Sequence, residues 1–253
     1  MNRARKPSVP FLNTKGYVDF RPNDPENPQN WSRARRWHIS LAAIFAALTG
    51  SIASSAASGC IQSITTEFQL SEVVANLSTT LFLLGYCAGP FVFAPYCEFY
   101  GRRWLFYVNY AAFVIFNFLC AFAPNFTSLA IGRFLTGTFV SGPLTATPGI
   151  LADLWNPPER DNAIALLAVA IWAGPSLGPV AAAYIDQDKG WRWVFHFVLC
   201  LGAAGALAAI TIPETHVPTI LAQKARRHRQ ARFSGFENVQ TEAEANGKSL
   251  VET

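Results

Sequence analysis

Charged side chains cut this chain into apolar stretches. No Asp, Glu, Lys or Arg interrupts residues 37–66, 73–97, 104–132, 134–152, 162–185 or 193–213. A helix needs about 20 apolar residues to cross a hydrocarbon core roughly 30 Å thick. The run 104–132 is too long for one crossing and contains Ala123-Pro124-Asn125, where proline breaks a helix. A third span is therefore predicted to end near Ala123 and a fourth to begin near Thr127, running through Arg133. Six spans result, at about residues 37–59, 74–96, 104–123, 127–151, 162–185 and 192–212. The predicted fold class is an all-α membrane protein.

Composition excludes the alternatives. Of the 253 residues 51% are hydrophobic and 14% charged, against about 25% charged in soluble domains. Twenty-two of the 36 charges lie in residues 1–36 and 213–253, so the centre has too few to cover a water-soluble globule and is too apolar for a disordered chain. Residues 1–36 read as a polar tail, 37–212 as a six-span bundle and 213–253 as a basic, then disordered tail. With six spans both tails share one side, and that side holds seventeen of the twenty Lys and Arg residues. Basic residues stay cytoplasmic, so both termini are expected in the cytosol, with Lys189 and Arg192 outside. The first run follows 36 polar residues and is too long to be a signal peptide. The cluster from Lys224 to Arg232 reads as an anchor on anionic lipid, not as a nucleic-acid site. Five cysteines without paired spacing read as buried apolar residues, and neither cofactor nor metal is expected.

A few residues stand out within this pattern. Arg133 lies inside the fourth span, where a charge costs roughly 3 kcal/mol or more and marks a pathway or proton relay unless it snorkels to the interface. Ser51, Ser54 and Ser58 form a hydroxyl stripe on span one, and Thr136 and Ser141 repeat the theme on span four. Such hydroxyls serve either helix packing or a polar path. Gly174 and Gly178 lie one turn apart and allow close helix approach, while Pro175 and Pro179 bend the helix. Gly85 and Gly89 share that spacing and read as packing. Gly174-Pro-Ser176-Leu-Gly178 also fits a hydrolase nucleophile elbow, but that needs a strand–turn–helix and a soluble core. No enzyme is expected. Between spans two and three, Glu98, Gly101, Arg102 and Arg103 can make a charge cluster at a helix end.

In order and placement these residues resemble the major facilitator superfamily. Glu98 with Gly101-Arg102-Arg103 is similar to its loop signature between spans two and three. Leu129-Ala-Ile-Gly-Arg133-Phe-Leu-Thr-Gly137 resembles its fourth-span motif, and Gly174-Pro175-Ser-Leu-Gly178-Pro179 its antiporter motif. Asp153 with Glu159-Arg160 resembles its charged loop between spans four and five. The stretch Asp24-Pro-Glu-Asn-Pro-Gln-Asn30-Trp31 is similar to the fungal twelve-span drug:proton antiporter branch.

The resemblance implies a bundle of two inverted three-helix repeats, corresponding to the N-terminal six-span half of a twelve-span transporter. It implies proton-coupled efflux of small organic molecules, drugs or secondary metabolites, across the plasma membrane. Arg133 and Gly137 are then expected in proton coupling, and Ser51, Ser54, Ser58, Thr136 and Ser141 along a cavity. The absence of acids deep in the spans favours neutral or weakly charged substrates. Lipid, substrate and protons are the expected partners, with a second copy or second half completing the cavity. A single six-span bundle has one wall of that cavity, so a truncated, inactive chain is the expectation. The alternatives are a half-transporter acting as an oligomer and a non-transporting membrane interaction protein.

Overall fold

The computed structural model describes residues 11–230 and 241–245, including side chains except those of residues 98–100 and 243. Its helices are α1 (Arg33–Ala56), α2 (Ile61–Phe68), α3 (Glu72–Tyr100), α4 (Arg102–Ala121), α5 (Phe126–Leu154), α6 (Pro157–Lys189), α7 (Trp191–Ile210), α8 (Val217–Gln230) and the short α9 (Glu242–Ala245). A 3-10 turn at Ala57–Cys60 joins α1 to α2, so the two make one long crossing element. Local chemistry sets the boundaries. Ser32 caps α1 by accepting from the Arg35 N–H, and Asn125 caps α5 by accepting from the Ser128 N–H at 2.8 Å. Gln69, with φ of +50°, ends α2.

Five elements are long and apolar enough to cross a membrane: Arg33–Phe68, Glu72–Cys97, Arg102–Ala121, Pro157–Lys189 and Trp191–Ile210. The sequence predicts six. The helix that makes the difference is α5, whose 29 residues include Arg133, Asp153, two internal prolines and a series of Ser and Thr hydroxyls that interrupt its apolar stretches. Its polar side chains Arg133, Thr136, Ser141 and Thr147 are all buried. The other helices shelter it.

Packing among the helices follows a two-fold pattern. α5 lies against α3, α4 and α1, while α1 lies against α6, α7 and α5, and α4 packs on α7. Exchanging α1 with α5, α3 with α6 and α4 with α7 maps this list of neighbours onto itself. The bundle is thus two three-helix repeats, inverted because their first helices run in opposite directions. The central positions belong to α1 and α5. The apolar stretch of the first element is 67% buried, against 22% for α3 and 28% for α6. Outward-facing side chains such as Phe91 and Trp172, 84% and 77% exposed, leave apolar rims for lipid or a partner.

Lipid is as apolar as leucine, so helices associate by close packing rather than by hydrophobic burial. The repeats use the same device twice. A Cβ on Gly174 or Gly178 of α6 would overlap Ser51 or Ser55 of α1. A Cβ on Gly85 or Gly89 of α3 would overlap the Phe134 carbonyl or Ser141 of α5. The two glycine pairs are counterparts in the inverted repeats.

At the end carrying both tails, the chain folds against itself. Leu12 and Val18 form an antiparallel bridge, and Val18 packs on Ala225 of α8. Lys224 pairs with Asp24, Arg227 with Glu26 at 3.2 Å, and Arg229 with Glu244 at 3.1 Å. As far as Gln230 the basic segment predicted to anchor on lipid is helical, and its Lys224, Arg227 and Arg229 meet the chain's own acids; Arg232 lies outside the described residues. Of the tail predicted to be disordered, residues 241–245 include the helical turn α9, and residues 231–240 and 246–253 lie outside the described residues.

Both seams are expected to be equally intolerant of bulk. Gly85→Val and Gly178→Val should each lower the thermal stability of the solubilised protein by about 1–3 kcal/mol through overpacking. Ile115→Ala, at a side chain 65% exposed, should change it little. Unchanged melting of either glycine variant would refute the seam.

Candidate functional site

Arg133 projects from α5 into the centre of the bundle and is 1% exposed. Its guanidinium donates to the Ala53 carbonyl at 2.9 Å and the Ser54 carbonyl at 3.3 Å, both on α1, and to the Ser78 carbonyl on α3 at 3.1 Å. It lies 4.2 Å from the ring centroid of Phe82 and 5.7 Å from that of Phe195. Just past its α1 acceptors the backbone tightens into the 3-10 turn, whose N–H groups turn to nearer carbonyls. Among the described residues no carboxylate pairs with Arg133, so the cation is held by backbone dipoles and π-faces alone. It does not snorkel to the interface. One turn on, Gly137 brings α5 against the Phe82 backbone, where a Cβ would not fit. Thr136 is fully buried and donates to the Gly132 carbonyl.

The hydroxyls expected along a cavity mostly serve the backbone instead. Pro175 has no N–H for the Ile171 carbonyl one turn back, and the Ser51 hydroxyl donates to that carbonyl at 2.6 Å. Ser54 donates to the Ser51 carbonyl at 2.7 Å, and Ser141 to the Thr138 carbonyl at 2.6 Å. Ser51, Ser54, Thr136 and Ser141 are buried in helix contacts, and only Ser58 of the five is exposed. Pro179 and Ser176 lie within α6, and the Ser176 hydroxyl bonds to the Trp172 carbonyl, so the elbow-like string is plain helix. One open polar space lies at the far end of the bundle. A cavity of about 630 Å³ between α2 and α6 is lined by Gln62, Ser63, Thr66, Glu67, Asp186 and Gln187. There Ser63 donates to Asp186 at 2.6 Å.

The charged loop residues gather at the tail end. Gly101, with φ of +88°, turns the chain between α3 and α4. Glu214, just past α7, accepts from the N–H groups of Arg102 and Arg103 at 3.2 and 3.3 Å, and from those of Thr215 and His216 at 3.0 and 2.9 Å. Its charge also complements the positive end of the α4 dipole. A side chain on Gly101 would collide with it. Arg102 lies over Gly149 and pairs with Asp153 at 2.9 Å. Arg36 pairs with Glu159 at 3.3 Å and stacks on Trp155, whose indole donates to Ser40 at 2.9 Å. Arg103 reaches the Tyr107 hydroxyl at 3.2 Å, and Arg160 makes no ion pair among the described residues. The Glu98 side chain lies outside the described residues. Glu214 was missed by sequence reasoning, because nothing local links it to a loop more than a hundred residues earlier. Its one signal is an acid at the head of a basic tail.

This geometry defines a polytopic helical membrane protein built from inverted repeats. Residues 39–246 match the family model described as Major Facilitator Superfamily, and the chain belongs to that family of transporters. An MFS-type transporter of Aspergillus candidus is 37% identical over 83% of this chain and 42% of its own length. A multidrug transporter of Aspergillus fumigatus is 37% identical over 81% of this chain and 34% of its own. An MFS-type efflux pump of Trichophyton rubrum is 37% identical over 83% of this chain and 36% of its own. The chain thus spans less than half the length of these relatives. Among solved structures, a proton:xylose symporter aligns with a TM-score of 0.67 at 20% identity, over 80% of this chain and 50% of that one, a likeness of fold.

Beside this cluster His216 is 8% exposed, and burial, with Arg102 nearby, pushes its imidazole down to about 4. The unfolded chain protonates it near 6.5. Its contribution to stability is therefore full above pH 6.5 and lost as pH falls toward 4. Wild type should lose more stability than His216→Asn between pH 7 and pH 5 in thermal melts. Parallel curves would show that the imidazole is not held neutral.

Proposed function

We propose that this chain is one six-span half of a proton-coupled efflux transporter for small organic molecules, with α5 crossing the membrane beside the five apolar spans. The observation that carries this reading is Arg133. Among the described residues its guanidinium has no carboxylate partner; such a charge in a membrane bundle is costly, and in low dielectric its field governs where a second positive charge, a proton included, can reside. Its place where both central helices meet α3 couples that field to the contact between the two repeats. Relatives named efflux pumps and a multidrug transporter support the direction and the substrate class. A cationic interior suits neutral or weakly charged substrates.

The charge distribution further supports both termini in the cytosol and the far end on the opposite side; the membrane proposed is the plasma membrane. A cysteine at position 188 should label from outside intact cells. Labelling only after permeabilisation would invert the arrangement.

Alternating access needs two bundles rocking about a shared site, and this bundle supplies one. Its apolar rims on α3 and α6 are suited to a second half. In a complete transporter containing this sequence, Arg133→Ala should abolish proton-driven efflux in vesicles while expression stays near wild type. The 253-residue chain reconstituted by itself should move no dye under a proton gradient. Efflux retained by the Ala variant would remove the coupling role.

A further inference from the structure

The inverted repeats place a second charged cluster opposite the one formed by Arg102 and Asp153. At the tail end, Gly101 has φ and ψ of 88° and 167°, and the chain continues Arg102-Arg103-Trp104. At the far end, Gly190 has 87° and 165°, and the chain continues Trp191-Arg192-Trp193. Both glycines begin the third helix of their repeat in the same backbone conformation. Asp153, next to last in α5, meets the first residue of α4. Glu67, next to last in α2, meets the first two residues of α7: it accepts from the Trp191 indole N–H and pairs with Arg192. The exchange that relates the repeats therefore carries the Asp153–Arg102 contact onto Glu67–Trp191, with Arg192 at the position of Arg103.

The far-end cluster has one feature that its counterpart lacks. Arg192 and Glu67 are 42% and 40% exposed, and a pair so open to water contributes little by itself. Trp191 is 2% exposed, and its ring packs 5.6 Å from Phe68 and 5.8 Å from Phe195. A buried indole N–H needs its acceptor, so the indole is the anchor and the guanidinium an outer brace. Behind the cluster, α2 joins α1 through the 3-10 turn that contains Cys60, which is 1% exposed.

We propose that Glu67, Trp191 and Arg192 form a far-end clamp, the inverted-repeat counterpart of the Arg102–Asp153 pair, which positions α2 against α7 and closes the bundle over Cys60. The proposal rests on the fold alone and is independent of transport and of topology. The test uses the full chain with Cys87→Ser, Cys120→Ala and Cys200→Ser, leaving Cys60 at one end and Cys97 at the other, and measures their reaction rates with a water-soluble maleimide. Glu67→Leu and Trp191→Phe should raise the Cys60 rate by about tenfold or more and change the Cys97 rate by less than about twofold, since the opening is local. Glu67→Gln, which keeps an acceptor for the indole, should leave Cys60 close to wild type. If Glu67→Leu fails to fold, Trp191→Phe, which keeps most of the ring's bulk, decides the matter. Cys60 remaining protected in Trp191→Phe would overturn the clamp, and so would Cys60 and Cys97 becoming reactive together.

Discussion

In a bundle surrounded by hydrocarbon, each polar group must find its partner inside the protein, and Arg133 is where that constraint acts most strongly. Its three bonds to carbonyls fasten α5 to α1 and α3 at one point. A lysine could not reproduce this, because an ammonium is a compact charge and not a planar fork. The polarity that keeps α5 apart from the apolar spans is the same polarity that places it in the centre. Several hydroxyls follow the same rule, as Ser51 shows by taking the carbonyl that Pro175 leaves without a donor.

The second organising feature is repetition by inversion. Glycine pairs on α3 and α6 let these helices approach α5 and α1 respectively. One pair belongs to the antiporter-like motif and the other has no signature, yet their packing is equivalent. Function that depends on the α6 pair therefore has to come from something beyond close approach. Both helices carry internal prolines, Pro90 and Pro95 in α3 and Pro175 and Pro179 in α6, and the Ser51 hydroxyl on the carbonyl that Pro175 frees is the local difference.

The tail end shows how charge organises the protein outside the bundle. Glu214 neutralises two backbone donors at the start of α4 and holds the strand of chain leading to α8. Lys224 and Arg227 in turn draw in Asp24 and Glu26 from the beginning of the chain. The loop between α3 and α4, the exit from α7 and the N-terminal segment are thus joined by a continuous set of ion pairs and capping bonds.

The sequence alone determined the helical membrane class, the break at Ala123-Pro124-Asn125 and the presence of a charge, Arg133, within an otherwise apolar helix, because a bilayer sorts residues by polarity and proline acts locally. The loop residues Gly101, Arg102, Arg103 and Asp153 also stood out by their spacing along the chain. Tertiary structure decided which way the polar residues face. Ser51, Ser54, Thr136 and Ser141 have the spacing of a cavity wall, but periodicity defines a face without saying whether it meets a helix or open space. It also decided the partners of Arg102, Glu67 and Glu214. Their contacts join residues about 50 to more than 120 positions apart in the sequence, and only the inverted packing of the two repeats brings them together.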